Sequence, residues 1–124
     1  FLTAAWFPEM FWDGRARSNF VDPDTGVTTI QNGGALENQA LGPLLAHDEM
    51  AHDARTFANV TAKLQSAKPM ALATNLPADM AAAIAGGTTY PQLFQAAFGT
   101  PDITAQRIAF ALATYQRTLV PNQA

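Results

Sequence analysis

The sequence contains no cysteine. That excludes disulfides, thiol nucleophiles and cysteine zinc sites within it, and leaves the redox compartment open. Charge is also scarce: 14 % of residues are charged, against a usual share of about 25 %. With 48 % hydrophobic residues, this composition is opposite to that of a disordered chain, and it implies that part of the surface meets another domain or a cofactor. Lys and Arg number 7 against 10 Asp and Glu, for a net charge of −3. No basic footprint for nucleic acid or anionic lipid follows from that balance. No apolar run approaches the ~18 residues of a transmembrane helix. Gly-rich phosphate loops, a Ser-His-Asp order and a His-Glu-x-x-His motif are all missing. The chain opens on Phe1-Leu2-Thr3 with no charged leader, and stops just after an apolar segment. It therefore reads as a piece of a longer chain.

What is present fits one mostly α domain, since 124 residues suffice for a real core. Large apolar groups crowd residues 1–12, and Gly14 in Phe11-Trp12-Asp13-Gly14-Arg15-Ala16 marks a tight turn. Residues 20–34 read as a small β-hairpin excursion. Phe20-Val21 and Val27-Thr28-Thr29-Ile30 are β-prone, Asp22-Pro23-Asp24-Thr25-Gly26 has turn chemistry, and Gly33-Gly34 closes the segment. Helices are predicted over 35–41, stopped by Gly42-Pro43, and as a single turn over 47–51. Further helices are predicted over 56–67, 77–85 and 90–98. In the last helix Thr104 is the N-cap, and Ile108, Leu112, Tyr115 and Leu119 form an apolar stripe.

Few residues stand out chemically. His47 and His52 lie about 140° apart on a helix, so they do not converge on one metal and read as surface histidines. The Asp22–Gly26 segment lacks the further ligands of a calcium loop and reads as a turn. Trp12 is either a core anchor or a π-system placed to pass electrons between redox centres. Glu49 is either a solvated helix-start residue or, in a dry pocket that would raise its pKa, a proton donor and acceptor for a bound peroxide. Gln39 could orient the same oxygen ligand, and Pro43 could fix the pocket wall.

Taken together, these residues carry a resemblance. Phe11-Trp12-Asp13-Gly14-Arg15-Ala16, then Glu37-Asn38-Gln39-Ala40-Leu41-Gly42-Pro43-Leu44-Leu45, then Asp48-Glu49-Met50 resemble the bacterial di-haem cytochrome c peroxidase family, which includes MauG. Tyr90 to Gly99, Ile103 to Ala109 and Ala113 to Val120 look like the same family in the same order, so the likeness is collinear over almost the whole chain.

The resemblance implies a cytochrome-c-like helical domain fragment, with residues 1–124 as part of a di-haem peroxidase. It implies two covalent c-type haems in the complete protein, with calcium as a further possible cofactor, and a periplasmic location. It implies hydrogen peroxide as substrate and a small electron-donor protein, such as a cytochrome or cupredoxin, as partner; a MauG-like member oxidises a protein substrate instead. Residue by residue, it gives Trp12 the inter-haem electron-transfer role, Gln39 and Glu49 the distal acid/base pocket, and Pro43 the pocket wall. Both Cys-x-x-Cys-His motifs are absent, so the sequence corresponds to the segment between the two attachment sites. The family's haem ligands and calcium ligands fall outside it, which leaves no metal ligand here and an inactive chain when alone. Residues 17–35 look like an insertion between Trp12 and Gln39. A haem-free helical scaffold or binding module derived from the family is the alternative.

Overall fold

The computed structural model describes residues 3–121. Their contacts divide them into two compact units, residues 3–57 with 104–121, and residues 58–103.

In the first unit a 3₁₀ turn at Ala4–Trp6 leads to a small loop closed by an antiparallel bridge between Met10 and Ala16. Strands β1 (Phe20–Val21) and β2 (Thr28–Ile30) pair antiparallel, with Phe20 opposite Ile30. This is the predicted hairpin within a mostly α chain. It is not a surface ornament, because the Phe20 side chain is fully buried and its ring lies 5.7 Å from that of Phe110. Gly34 closes the segment by donating its N–H to the Ser18 carbonyl at 2.6 Å. A Cβ at Gly34 would come within 2.7 Å of Phe20 Cβ, so the close approach itself demands glycine.

Helix α1 spans Ala35–Leu45 and α5 spans Ala105–Arg117; the two pack on one another. α1 runs through Gly42-Pro43 instead of stopping there, which corrects the expected end at Leu41. Proline costs one ladder bond to the carbonyl four residues back and crowds the residue before it. Here that preceding residue is Gly42, which has no Cβ to clash with the Pro43 ring, so the helical conformation survives for a last turn. Residues 47–50 form a turn and not a helical segment; the N–H groups of Glu49 and Ala51 both donate to the Ala46 carbonyl.

The apolar stripe on α5 is also corrected. Ile108 is buried, but Leu112 and Tyr115 are exposed, and the buried line runs through Ala105, Ile108, Ala109 and Ala113. Alanines let two helix backbones approach closely, and Ala113 joins Ala35, Leu36, Met10, Ala16 and Ala4 in one apolar cluster. Thr104 caps α5 as expected, its hydroxyl accepting from the Arg107 N–H at 3.2 Å. A second cap comes from the hairpin: the Asp24 carboxylate accepts from the Ala105 N–H at 3.1 Å. Asp22 shapes that turn, taking the Asp24 N–H at 3.0 Å and the Thr25 hydroxyl at 2.8 Å. The segment is thus a hydrogen-bonded turn, and its second acid faces a helix N-terminus.

The second unit holds α2 (Phe57–Ser66, its first residue belonging to the other unit), α3 (Ala78–Ala83) and α4 (Tyr90–Phe98). α3 is shorter than predicted, with Pro77 just before it, and a 3₁₀ turn follows at Ala85–Gly87. α4 matches its predicted bounds. Thr89 and Gln92 form a capping box at its start, and Gly99 ends it in the left-handed conformation. Val60 and Phe94 supply buried apolar contacts.

Candidate functional site

Two stretches, residues 11–21 and 38–49, border one cavity of about 470 Å³ in the first unit. Phe11 and Arg15 come from the Met10–Ala16 loop, Val21 from β1, Asn38 and Pro43 from α1, and Glu49 from the turn after it. Its size lies within the usual range for small-molecule sites, roughly 300–1,000 Å³.

The loop is built to stand out from the body. Met10 and Ala16 exchange backbone hydrogen bonds at 3.0 and 3.3 Å, and Gly14 donates to the Phe11 carbonyl at 3.2 Å. Phe11 adopts φ 67° and Gly14 φ 68°, so the loop turns tightly at both. The positive φ at Phe11 is a strained state for a bulky residue. The Arg15 guanidinium lies 3.8 Å from the centre of the Phe11 ring, a cation–π contact, and also reaches both Asp13 carboxylate oxygens at 3.0 and 3.1 Å. Desolvation pushes the Asp13 carboxyl up, but hydrogen bonds from the Arg15 backbone and guanidinium and the Arg15 charge together outweigh it, so the pKa lies below the usual carboxylate value.

Folded in this way, the loop holds Trp12 in solvent. Its side chain is 95 % exposed, so the core-anchor reading of Trp12 does not hold in these residues. Trp6 and Phe7 of the apolar N-terminal run are exposed as well; Phe1 and Leu2 of that run lie outside the described residues.

Asn38 joins α1 to the loop side of the cavity. Its amide Nδ2 donates to the carbonyls of Arg17 and Asn19, each at 2.8 Å. One turn of helix separates Gln39 from Pro43, yet only Pro43 reaches the cavity lining. Gln39 is buried, and its Oε1 has no hydrogen-bond partner. Buried polar atoms nearly always find partners, so an orphaned acceptor marks a position where something else is wanted. Glu49 reaches the rim but is exposed; no group among the described residues dries it. The structure therefore gathers Pro43 and Glu49 at one cavity, leaves Gln39 in α1 off its lining, and displays Trp12 on the loop that supplies Phe11 and Arg15 to it.

Some contributors were not singled out from sequence. Arg15 and Asn38 lie inside the quoted motifs, but their contacts are invisible in a linear pattern. Arg55 is another; its guanidinium donates to the Met50 carbonyl at 2.8 Å. Glu37 is the fourth, buried and paired with Arg117 at 2.6 Å. Its signal was present: it is the single charge in the otherwise apolar and amide-bearing α1. His47 and His52 are exposed. His47 Nε2 lies 3.1 Å from Asp53, and His52 Nδ1 lies 2.8 Å from the Asp53 carbonyl.

No curated protein and no solved structure matches the chain significantly. A family model, described as di-haem cytochrome c peroxidase, matches residues 1–124. The motif order, the helical fold with its small hairpin and this end-to-end match agree, and the chain belongs to the di-haem cytochrome c peroxidase family.

Proposed function

We propose that these residues form the segment of a periplasmic di-haem oxidoreductase that reduces hydrogen peroxide, and that they supply proton handling at one haem and an aromatic path between the two. The observation that carries this reading is the cavity itself: Phe11, Arg15 and Ala16 of the loop, Pro43 of α1 and Glu49 of the turn after it border a single space.

The residues suit one wall of a haem pocket. Phe11, Val21 and Pro43 offer an apolar surface, and Arg15 and Arg17 put cations on the lining, a mixture that matches a flat apolar ring bearing carboxylates. Covalent attachment has to come from elsewhere in the protein, since the sequence has no cysteine. When bound, haem supplies the redox centre at which peroxide gains electrons. Reduction of one peroxide consumes two electrons and two protons and yields two waters. Breaking the O–O bond requires a base to take the proton from one oxygen and an acid to return it to the departing one. Glu49, on the rim, performs both transfers with one carboxylate. Gln39, buried in α1 off the lining, would offer its orphaned Oε1 to an O–H of the peroxide in the pocket that the haem-bearing remainder completes. Pro43, lacking an N–H, keeps the wall free of a competing donor and stiff. Trp12, exposed on its loop, is covered by the haem-bearing remainder of the protein and carries electrons inward. A small cytochrome or cupredoxin delivers those electrons, or a protein substrate does so if the member is MauG-like. Among the described residues no helix is long and apolar enough to cross a membrane.

The absence of cysteine also supports a second reading, a haem-free scaffold that kept the family's fold and lost its redox centres. An intact mass and a visible absorption spectrum of the protein isolated from its source separate the two. A mass well above 13.2 kDa with c-type haem absorption is expected. A mass near 13.2 kDa with no Soret band would refute the peroxidase reading in favour of the scaffold.

A further inference from the structure

The turn carrying Glu49 has little packing of its own. Residues 47–50 are exposed, and Glu49 has only its backbone N–H tied to the Ala46 carbonyl at 3.1 Å. A carboxylate that must meet a reacting oxygen cannot be left to such a turn, because misplacement by about 1 Å is enough to cost on the order of 100-fold in rate. The next residue is where the turn is held. Met50 donates its N–H to the Pro43 carbonyl at 3.2 Å, and its own carbonyl accepts from Arg55 Nη1 at 2.8 Å. The peptide units on both sides of Met50 are therefore fixed, one by the wall helix and one by a charged side chain. Arg55 is half-buried, and its backbone N–H is anchored to the His52 carbonyl at 3.2 Å. A charge-assisted hydrogen bond from an anchored guanidinium is roughly twice as strong as a neutral one. The neighbouring His47–Asp53 contact spans the same turn but lies in solvent, where ion pairs contribute little.

We infer that Arg55 is a positioning residue for Glu49: by clamping the Met50 carbonyl it holds the carboxylate at the cavity rim beside Pro43. This rests on the proton-handling role of Glu49 proposed above. The clamp acts from outside the cavity, since Arg55 is not among the lining residues.

The test is a double-mutant cycle on the complete, haem-loaded protein, read as the stopped-flow rate constant for reaction with hydrogen peroxide. R55A should lower the rate about 10-fold with haem content unchanged, as expected for a modest misplacement. R55K, which keeps one charged donor, should recover most of it. In an E49Q background R55A should have no further effect, because the group it positions has already lost its function. An undiminished R55A effect in that background, or no R55A effect where E49Q has one, would overturn the inference. If E49Q itself changes nothing, the Glu49 reading fails, and hydrogen exchange at the Met50 amide then decides the clamp alone. R55A should speed that exchange at least about 10-fold while the Ala109 and Ala113 amides of α5 keep their protection. Equal Met50 protection in both proteins would overturn the clamp.

Discussion

Replacing Arg117 by methionine should destabilise the first unit far more than the loss of an ordinary surface cation. Arg117 pairs with Glu37 at 2.6 Å, and the two ends of the pair are unequal: the Glu37 side chain is 4 % exposed, that of Arg117 40 %. The other Glu37 oxygen is buried without a partner. Arg117→Met therefore leaves a buried carboxylate with neither counter-charge nor hydrogen bond. Breaking a buried pair from one side costs about 3–5 kcal/mol. Water reaching the half-exposed guanidinium already weakens the pair, which puts the expected loss at the lower end, about 3 kcal/mol. The double variant Glu37→Leu with Arg117→Met removes both charges and fills similar volume, so it should fall within about 1 kcal/mol of the parent. Urea unfolding followed by circular dichroism at 222 nm is the suitable assay, because Trp6 and Trp12 are 71 % and 95 % exposed and report poorly on folding. A single-variant loss below about 1 kcal/mol, or a double variant worse than the single, would refute the argument that the buried carboxylate is what needs Arg117.

Other predictions concern the hairpin and the Trp12 loop. Phe20→Ala should cost about 3–5 kcal/mol in the same assay, since the ring is fully buried against Phe110; a cost under about 1 kcal/mol would make the hairpin a surface appendage. Asp24→Ala should cost about 1 kcal/mol through loss of the carboxylate on the Ala105 N–H, and an unchanged urea midpoint would remove that cap from the account. Asp13, whose pKa is lowered in the folded state, contributes stability that is present above the usual carboxylate value and is lost as pH falls through its folded pKa. An acid titration of Arg15 side-chain NMR signals should show release of the guanidinium in that window and none in Asp13→Asn; identical curves would contradict the pairing. In the haem-loaded protein, Trp12→Phe should slow inter-haem electron transfer more than peroxide binding, and equal transfer rates would end its electron-path role.

How much of this was legible in the sequence depended on whether the determining contacts were local. The hairpin, the Thr104 cap and the bounds of α4 were readable because each depends on residues within a few positions of one another. The passage of α1 through Pro43 was misread because the rule that proline stops a helix weighs the crowding of the preceding residue, and that residue is a glycine. The α5 stripe was misplaced because periodicity identifies large apolar residues, whereas the buried line of α5 is mostly alanine and Ala113 is the member that clusters with Ala35 and Leu36 of α1. At the site, Pro43 and Glu49, singled out through the family pattern, both line one cavity. The Arg55 clamp and the Asp24 cap were not found, since the cap joins residues 81 positions apart and the clamp recognises a carbonyl that any residue could supply.

The role proposed for Glu49, moving the protons of peroxide reduction, is tested by the stopped-flow rate of peroxide reaction in the complete haem-loaded protein before and after Glu49→Gln. A fall of about 10²–10⁴-fold at unchanged haem content is predicted, the usual worth of a general acid–base group. A rate within about twofold of the parent would contradict it, and would leave Glu49 as a solvated residue at the edge of the cavity.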